Sequence, residues 1–171
     1  TTTLAVSAYY GTGVTVTSSA DLFESGHVGS YWEIREKREA EKITQDLTAS
    51  APWTSDSAPV FGDWVFTTSE DWEGGIGIYR SIDNFSTEEL IHEVTSLSSH
   101  NYNITGSEYD PRAKYRLKSM PTPSWSGSTS GGLAVITIPA VEVKGSFKIT
   151  NYSGATSVTA DWIEPIRVDS G

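Results

Sequence analysis

The sequence predicts an all-β fold, an antiparallel β-sandwich, and three observations predict it. Aromatic residues are plentiful (six Trp, eight Tyr, five Phe), and with abundant Gly, Ser and Thr they suit short strands and tight turns. Apolar and polar residues alternate over short runs, the period of a half-buried strand. Strands do not alternate with helical segments, so a parallel α/β sheet is not expected.

The most informative stretch is Phe61 to Asp83. It reads as a hairpin, two strands joined by the polar turn Ser69-Glu70-Asp71. Trp64 and Phe66 share one face of the first strand. In the second, Trp72, Ile76 and Ile78 share one face and Gly75, Gly77 and Tyr79 the other. Gly75 and Gly77 sit inside a strand, where they permit close packing of a neighbouring aromatic.

From the start of the chain, Leu4–Tyr10 and Val14–Ser18 flank Gly11-Thr12-Gly13, a hairpin signature. Asp21 is placed to cap a single helical turn closed by Gly26, with Leu22, Phe23 and Val28 as a small apolar plug. Tyr31–Ile34 alternates like a strand, but Arg35–Lys42 has helical propensity, and Ala40, Ile43 and Leu47 fall at helical spacing. Propensity alone therefore leaves residues 30–50 between helix and strand. The charge run reads as a solvated edge. Ala51–Pro59 is polar and bracketed by prolines, a candidate domain boundary. Further strands are expected at Glu89–Val94, Asn101–Thr105, Ala113–Lys118, Leu133–Ile138, Gly145–Thr150 and Ser157–Ile163, with a Pro/Ser/Gly-rich loop from Pro121 to Gly132 carrying Trp125.

Composition narrows function. The 171 residues allow one ordinary domain or two small ones. No run approaches the about 18 apolar residues of a spanning helix, so membrane insertion is not expected. There is no cysteine, which excludes disulfides, thiolate metal sites and thiol catalysis. A net charge of −10 argues against nucleic-acid binding, which relies on Lys and Arg. The start, Thr1-Thr2-Thr3, lacks Met, and the chain is expected to be processed or cut from a longer protein.

Enzymatic signals are weak. His27, His92 and His100 lack metal-ligand spacing, and no nucleophile elbow, phosphate loop or dinucleotide fingerprint occurs. Glu70, Asp71 and Glu73 cluster on the turn, where solubility alone accounts for them; a glycan-cleaving carboxylate pair is the weakest reading. No cofactor is expected, with a structural Ca2+ at Asp83-Asn84 or Glu108-Tyr109-Asp110 left open, neither matching a twelve-residue EF-hand loop. Asn84, Asn103 and Asn151 begin N-glycosylation patterns, which matter only in a secretory pathway.

The aromatics point elsewhere. Trp64, Trp72 and Trp162 fall in strands and read as core. Trp53 and Trp125 sit in Pro/Ser-rich loops and, with Tyr109, are the candidate ligand-binding residues, since exposed aromatics offer sugar rings or partner subunits a large area at low entropy cost. The alternative is that the two tryptophans fold back over the ends of the sandwich.

Gly62, Trp64, Phe66, Thr68, Trp72, Gly74, Ile76, Ile78, Arg80, Ser81 and Asp83 spell G-x-W-x-F-x-T, a gap, then W-x-G-x-I-x-I-x-R-S-x-D. This resembles a segment common in large bacteriophage tail and neck structural proteins. Phe23 to Trp32 is similar to that family's F-x-x-x-H-V-G-x-x-W step. Asn101 to Asn103, Thr105-Gly106 and Tyr115 to Leu117 follow its N, TG, YR(I/L) series, and Gly145 to Thr150 its closing strand. Residues 35–42 are less typical. The resemblance selects strands for residues 30–50. It implies a fibronectin- or immunoglobulin-like sandwich at 57–140, inserted in a discontinuous β unit of 1–56 and 141–171. It also implies a non-enzymatic structural module of the virion tail or neck, assembled in the host cytoplasm, with other virion subunits as partners. The alternative is a carbohydrate-binding module for host or environmental glycans.

Overall fold

Alternation becomes strand along most of the chain. The computed structural model describes residues 2–97 and 101–168, so His100 lies outside the described residues. The chain forms two units, Thr1–Arg38 with Glu142–Gly171, and Glu39–Val141. Strands are numbered in chain order.

In the first unit, β1 (Leu4–Val6) and β2 (Val14–Ser18) form an antiparallel hairpin. β3 (Tyr31–Arg38), β12 (Val141–Gly154) and β13 (Ser157–Val168) complete a five-stranded sheet of order β1-β2-β13-β12-β3. Its core gathers Val16, Phe23, Phe147, Ile149, Val158 and Ala160, with Trp32 and Trp162 packed against it. Trp162 is half-buried, and its indole N–H donates to the Ala8 carbonyl at 2.9 Å. The single helical turn is a 3-10 turn at Ser25–His27, after Glu24 rather than after Asp21; the Glu24 backbone N–H donates to His27 Nδ1 at 3.1 Å. Phe23 is buried but Val28 is exposed, so the plug is Leu22 and Phe23 alone.

The charged segment is strand, not helix. β3 carries its first half at a sheet edge, with Arg35 paired to Glu33 and Arg38 to Glu36 along the strand.

The second unit contains β4 (Glu41–Asp46), β5 (Ala58–Pro59), β6 (Gly62–Thr68), β7 (Gly74–Ser81), β8 (Glu89–Ser96), β9 (Asn103–Glu108), β10 (Lys114–Ser119) and β11 (Leu133–Ile138). They make two four-stranded antiparallel sheets, β4-β11-β6-β9 and β5-β10-β7-β8. Ile43, Trp64, Phe66 and Ile136 from the first sheet and Ile76, Ile78, Val94, Tyr115 and Leu117 from the second fill one core. The fold is an all-β sandwich.

Two expectations are corrected. The stretch 61–83 is not a hairpin: β6 pairs β9 and β11, whereas β7 pairs β8 and β10. Glu70 takes a positive φ of 61°, and buried Trp72 follows outside any strand, so the connection carries the chain from one sheet to the facing one. Both apolar faces then meet across the core, which the alternation required in either arrangement. The boundary expected at residue 56 is also displaced. β4 pairs β11 from Glu41 to Asp46, and Leu47, Trp53 and Ala58 are buried in the second unit's core, so residues 39–56 belong there.

Candidate functional site

The loop 121–132 is held against the sandwich by hydrogen bonds to the turn after β6. Asp71 accepts from the hydroxyls of Ser128, Thr129 and Ser130, and Ser126 donates to Glu73 at 3.2 Å. The bonds from Ser130 and Thr129 hold the Asp71 carboxyl below the usual carboxylate range. A general acid of a glycosidase needs the opposite shift. Asp71, Trp72, Glu73, Ser126, Gly127 and Thr129 line a hollow of about 240 Å3 whose carboxylates latch the loop.

That latch positions Trp125. Its indole N–H donates to the Ala49 carbonyl at 2.9 Å, and its ring meets Trp53 edge-on at 5.2 Å and Trp72 at 6.1 Å. Gly74 has φ +137°, and a Cβ there would run into the Trp125 ring, so this position requires glycine on both counts. Trp125, Pro52, Pro121, Met120, Ala51, Ser119 and Ser124 line an open groove of about 430 Å3. Trp125 is half-buried and lines this groove.

The structure brings Trp53 and Trp125 together, but not as two exposed platforms. Trp53 is 8% exposed, with its backbone N–H bonded to Ser119 Oγ at 3.0 Å. It supports Trp125 and offers no face to a ligand. Tyr109, 75% exposed, does not line the groove.

A second polar cluster ties the two sheets. Glu108 on β9 accepts from Arg80 on β7 at 2.6 and 3.2 Å, from the Tyr115 hydroxyl on β10 at 3.0 Å, and from the backbone N–H groups of Tyr109 and Asp110. Burial pushes the Glu108 carboxyl up, but the Arg80 bond, the Asp110 N–H and Tyr115 together outweigh it and leave it lowered. Burial, then the Glu108 charge, raises the Tyr115 phenol. Arg112 similarly holds Asp110 low.

Asp83 is bonded by Thr87 and Ser81, which draw its carboxyl down to about 2, and Asn84 Oδ1 accepts from Lys114 at 3.0 Å. The carboxylates weighed for calcium thus take their partners from the protein. Among the described residues no group of three or more His, Asp or Glu is placed to hold a metal ion. His92 lies edge-on to Trp64 at 5.8 Å.

What the sequence reading missed is the groove: its Ala51 and Pro52 come from a segment far in the chain from Ser119, Met120 and Trp125. The available signal was the crowding of Pro and Ser on either side of both tryptophans. The chain matches no protein-family model and no characterised protein with which it was compared.

Proposed function

We propose that this chain is a non-enzymatic structural module of a phage virion, in the tail or neck, serving assembly or surface display. One observation carries the non-enzymatic part: side chains weighed for chemistry are occupied in holding the fold. Asp71 latches a loop, Glu108 joins two sheets, and Asp83 closes its own turn. The order of motifs from Phe23 to Thr150, with its resemblance to tail and neck proteins, supports the virion part. Antibodies against the chain, applied to purified virions and viewed by immunogold electron microscopy, test it. Label on the tail or neck is expected; particles that carry no label overturn the reading.

The groove favours a second reading, a glycan-binding module. Trp125 lines the groove together with Pro52 and Pro121, with Ser124 beside them, a mixed apolar and polar lining suited to a sugar ring. Titration of the full chain with soluble oligosaccharides tests it. Millimolar binding lost in Trp125→Ala but kept in Tyr109→Ala supports this groove; no binding at millimolar sugar sinks it.

A further inference from the structure

Charge is unevenly spread. The second unit holds fourteen Asp/Glu against six Lys/Arg, a balance of −8 out of the chain's −10. The outer face of its β4-β11-β6-β9 sheet is nevertheless almost free of charge. The register lays out two complete rows across all four strands. One runs Thr44, Val135, Thr67, Asn103, and the next Lys42, Thr137, Val65, Thr105. Asp46 and Leu133 border the first row, Asp63 and Ser107 the second. The three charges sit at the margins, and Asp46 and Asp63 are turned to Thr48 and Ser107. At the centre lie seven uncharged side chains, six of them Thr or Val. Thr44, Asn103, Thr105 and Thr137 are exposed, and Val65, Thr67 and Val135 half-buried.

We propose that this face is a self-association surface, and that its occupant is the same face of a second copy. Two chains of charge −10 repel, and the repulsion is smallest where neither presents charge. A neutral, acid-poor patch is complementary to itself, as a two-fold contact requires. Thr and Val have stiff χ1 angles and lose little freedom on being covered. Two pleated sheets can pack face to face through such residues. With strands about 4.8 Å apart and same-face residues about 6.8 Å apart, the twelve positions cover about 400 Å2. That is about half of what each partner gives a stable interface, so association is weak, with a Kd on the order of 0.1 mM. The inference rests on this face alone and not on the virion reading.

Sedimentation equilibrium of the full chain from 10 µM to 1 mM, on an order-of-magnitude scale set by that Kd, tests it. A monomer–dimer equilibrium is expected, tightening as salt screens the net charge. Val135→Glu and Thr137→Glu each weaken it at least about tenfold. An equimolar mixture of Val135→Glu and Val135→Lys chains restores the dimerisation that is weakened in either alone. Thr95→Lys, on the other sheet, changes nothing. Circular dichroism checks each fold, and Thr137→Glu carries the test if Val135→Glu does not fold. A parent that stays monomeric to 1 mM overturns the proposal, as does a dimer indifferent to both glutamates.

Discussion

The outer faces of the two sheets of the sandwich are finished in opposite ways. On the β5-β10-β7-β8 sheet, long side chains close over the surface and bind one another. The Arg116 guanidinium lies 4.0 Å from the centre of the Phe85 ring, and Lys118 4.7 Å from that of Tyr79. Glu88 accepts from both cations, at 3.0 and 2.6 Å. Met120 packs over Gly75 and Gly77 and accepts a long hydrogen bond from the Tyr79 hydroxyl. On the β4-β11-β6-β9 sheet, short β-branched residues stand side by side. The first face has already ordered its side chains on itself; the second has little left to lose on meeting another surface.

The contrast can be broken in graded steps. Glu108→Ala removes the tie between the sheets and strands Arg80 in a half-closed site. Breaking a buried pair costs about 3–5 kcal/mol, and the solvent reaching Arg80 puts this one at about 3, read by urea denaturation. Gly77→Ala intrudes on the covered face, where a Cβ meets Tyr79 Cε2 at 2.6 Å and Met120 Sδ at 2.8 Å; a loss of about 1–2 kcal/mol is expected by the same measurement. Glu88→Ala unpairs Arg116 and Lys118 at a partly exposed position, for about 1 kcal/mol. Thr137→Val, on the bare face, shifts stability by no more than about 0.5 kcal/mol.

Acid tests the carboxylate ties by another route. Glu88 is held low by Lys118, which outweighs its burial with help from Arg116, Glu108 is lowered by Arg80 despite its burial, and Asp83 lies at about 2. Carboxyls lowered in the folded state contribute stability above their unfolded values, near 4, that is lost as pH falls through the folded ones. Denaturation midpoints should therefore be steady above pH about 5 and fall from there towards pH about 2. Asp83→Asn should flatten the lower end of that fall.

The sequence reading recovered what is local. Ala113 to Lys118 alternates with Tyr115 and Leu117 inward, and Leu133–Ile138 is a strand with those bounds. Partner choice is not local, which is why residues 61–83 read as a hairpin. Alternation tells which side faces the core but not which sheet a strand joins. Ile43 shows the same limit. Its spacing to Ala40 and Leu47 fits a helix, yet pairing with Ile136 makes it a strand. The burial of Trp53 is one of the two alternatives its sequence leaves open, because polar neighbours mark a loop without saying that Ser119, 66 residues away, bonds its backbone. The bare face is illegible in the sequence for a like reason: its threonines come from four strands and its valines from two, and only the register shows that no charge lies among them.

One measurement tests the difference between the faces most directly. Backbone amide NMR spectra of the full chain, recorded over a dilution series, report which residues sense a second copy. Concentration-dependent shifts are expected at residues 42–44, 65–67, 103–105 and 135–137, with residues 79, 88 and 114–118 still. Shifts confined to the charged strip, or none up to millimolar protein, would contradict it.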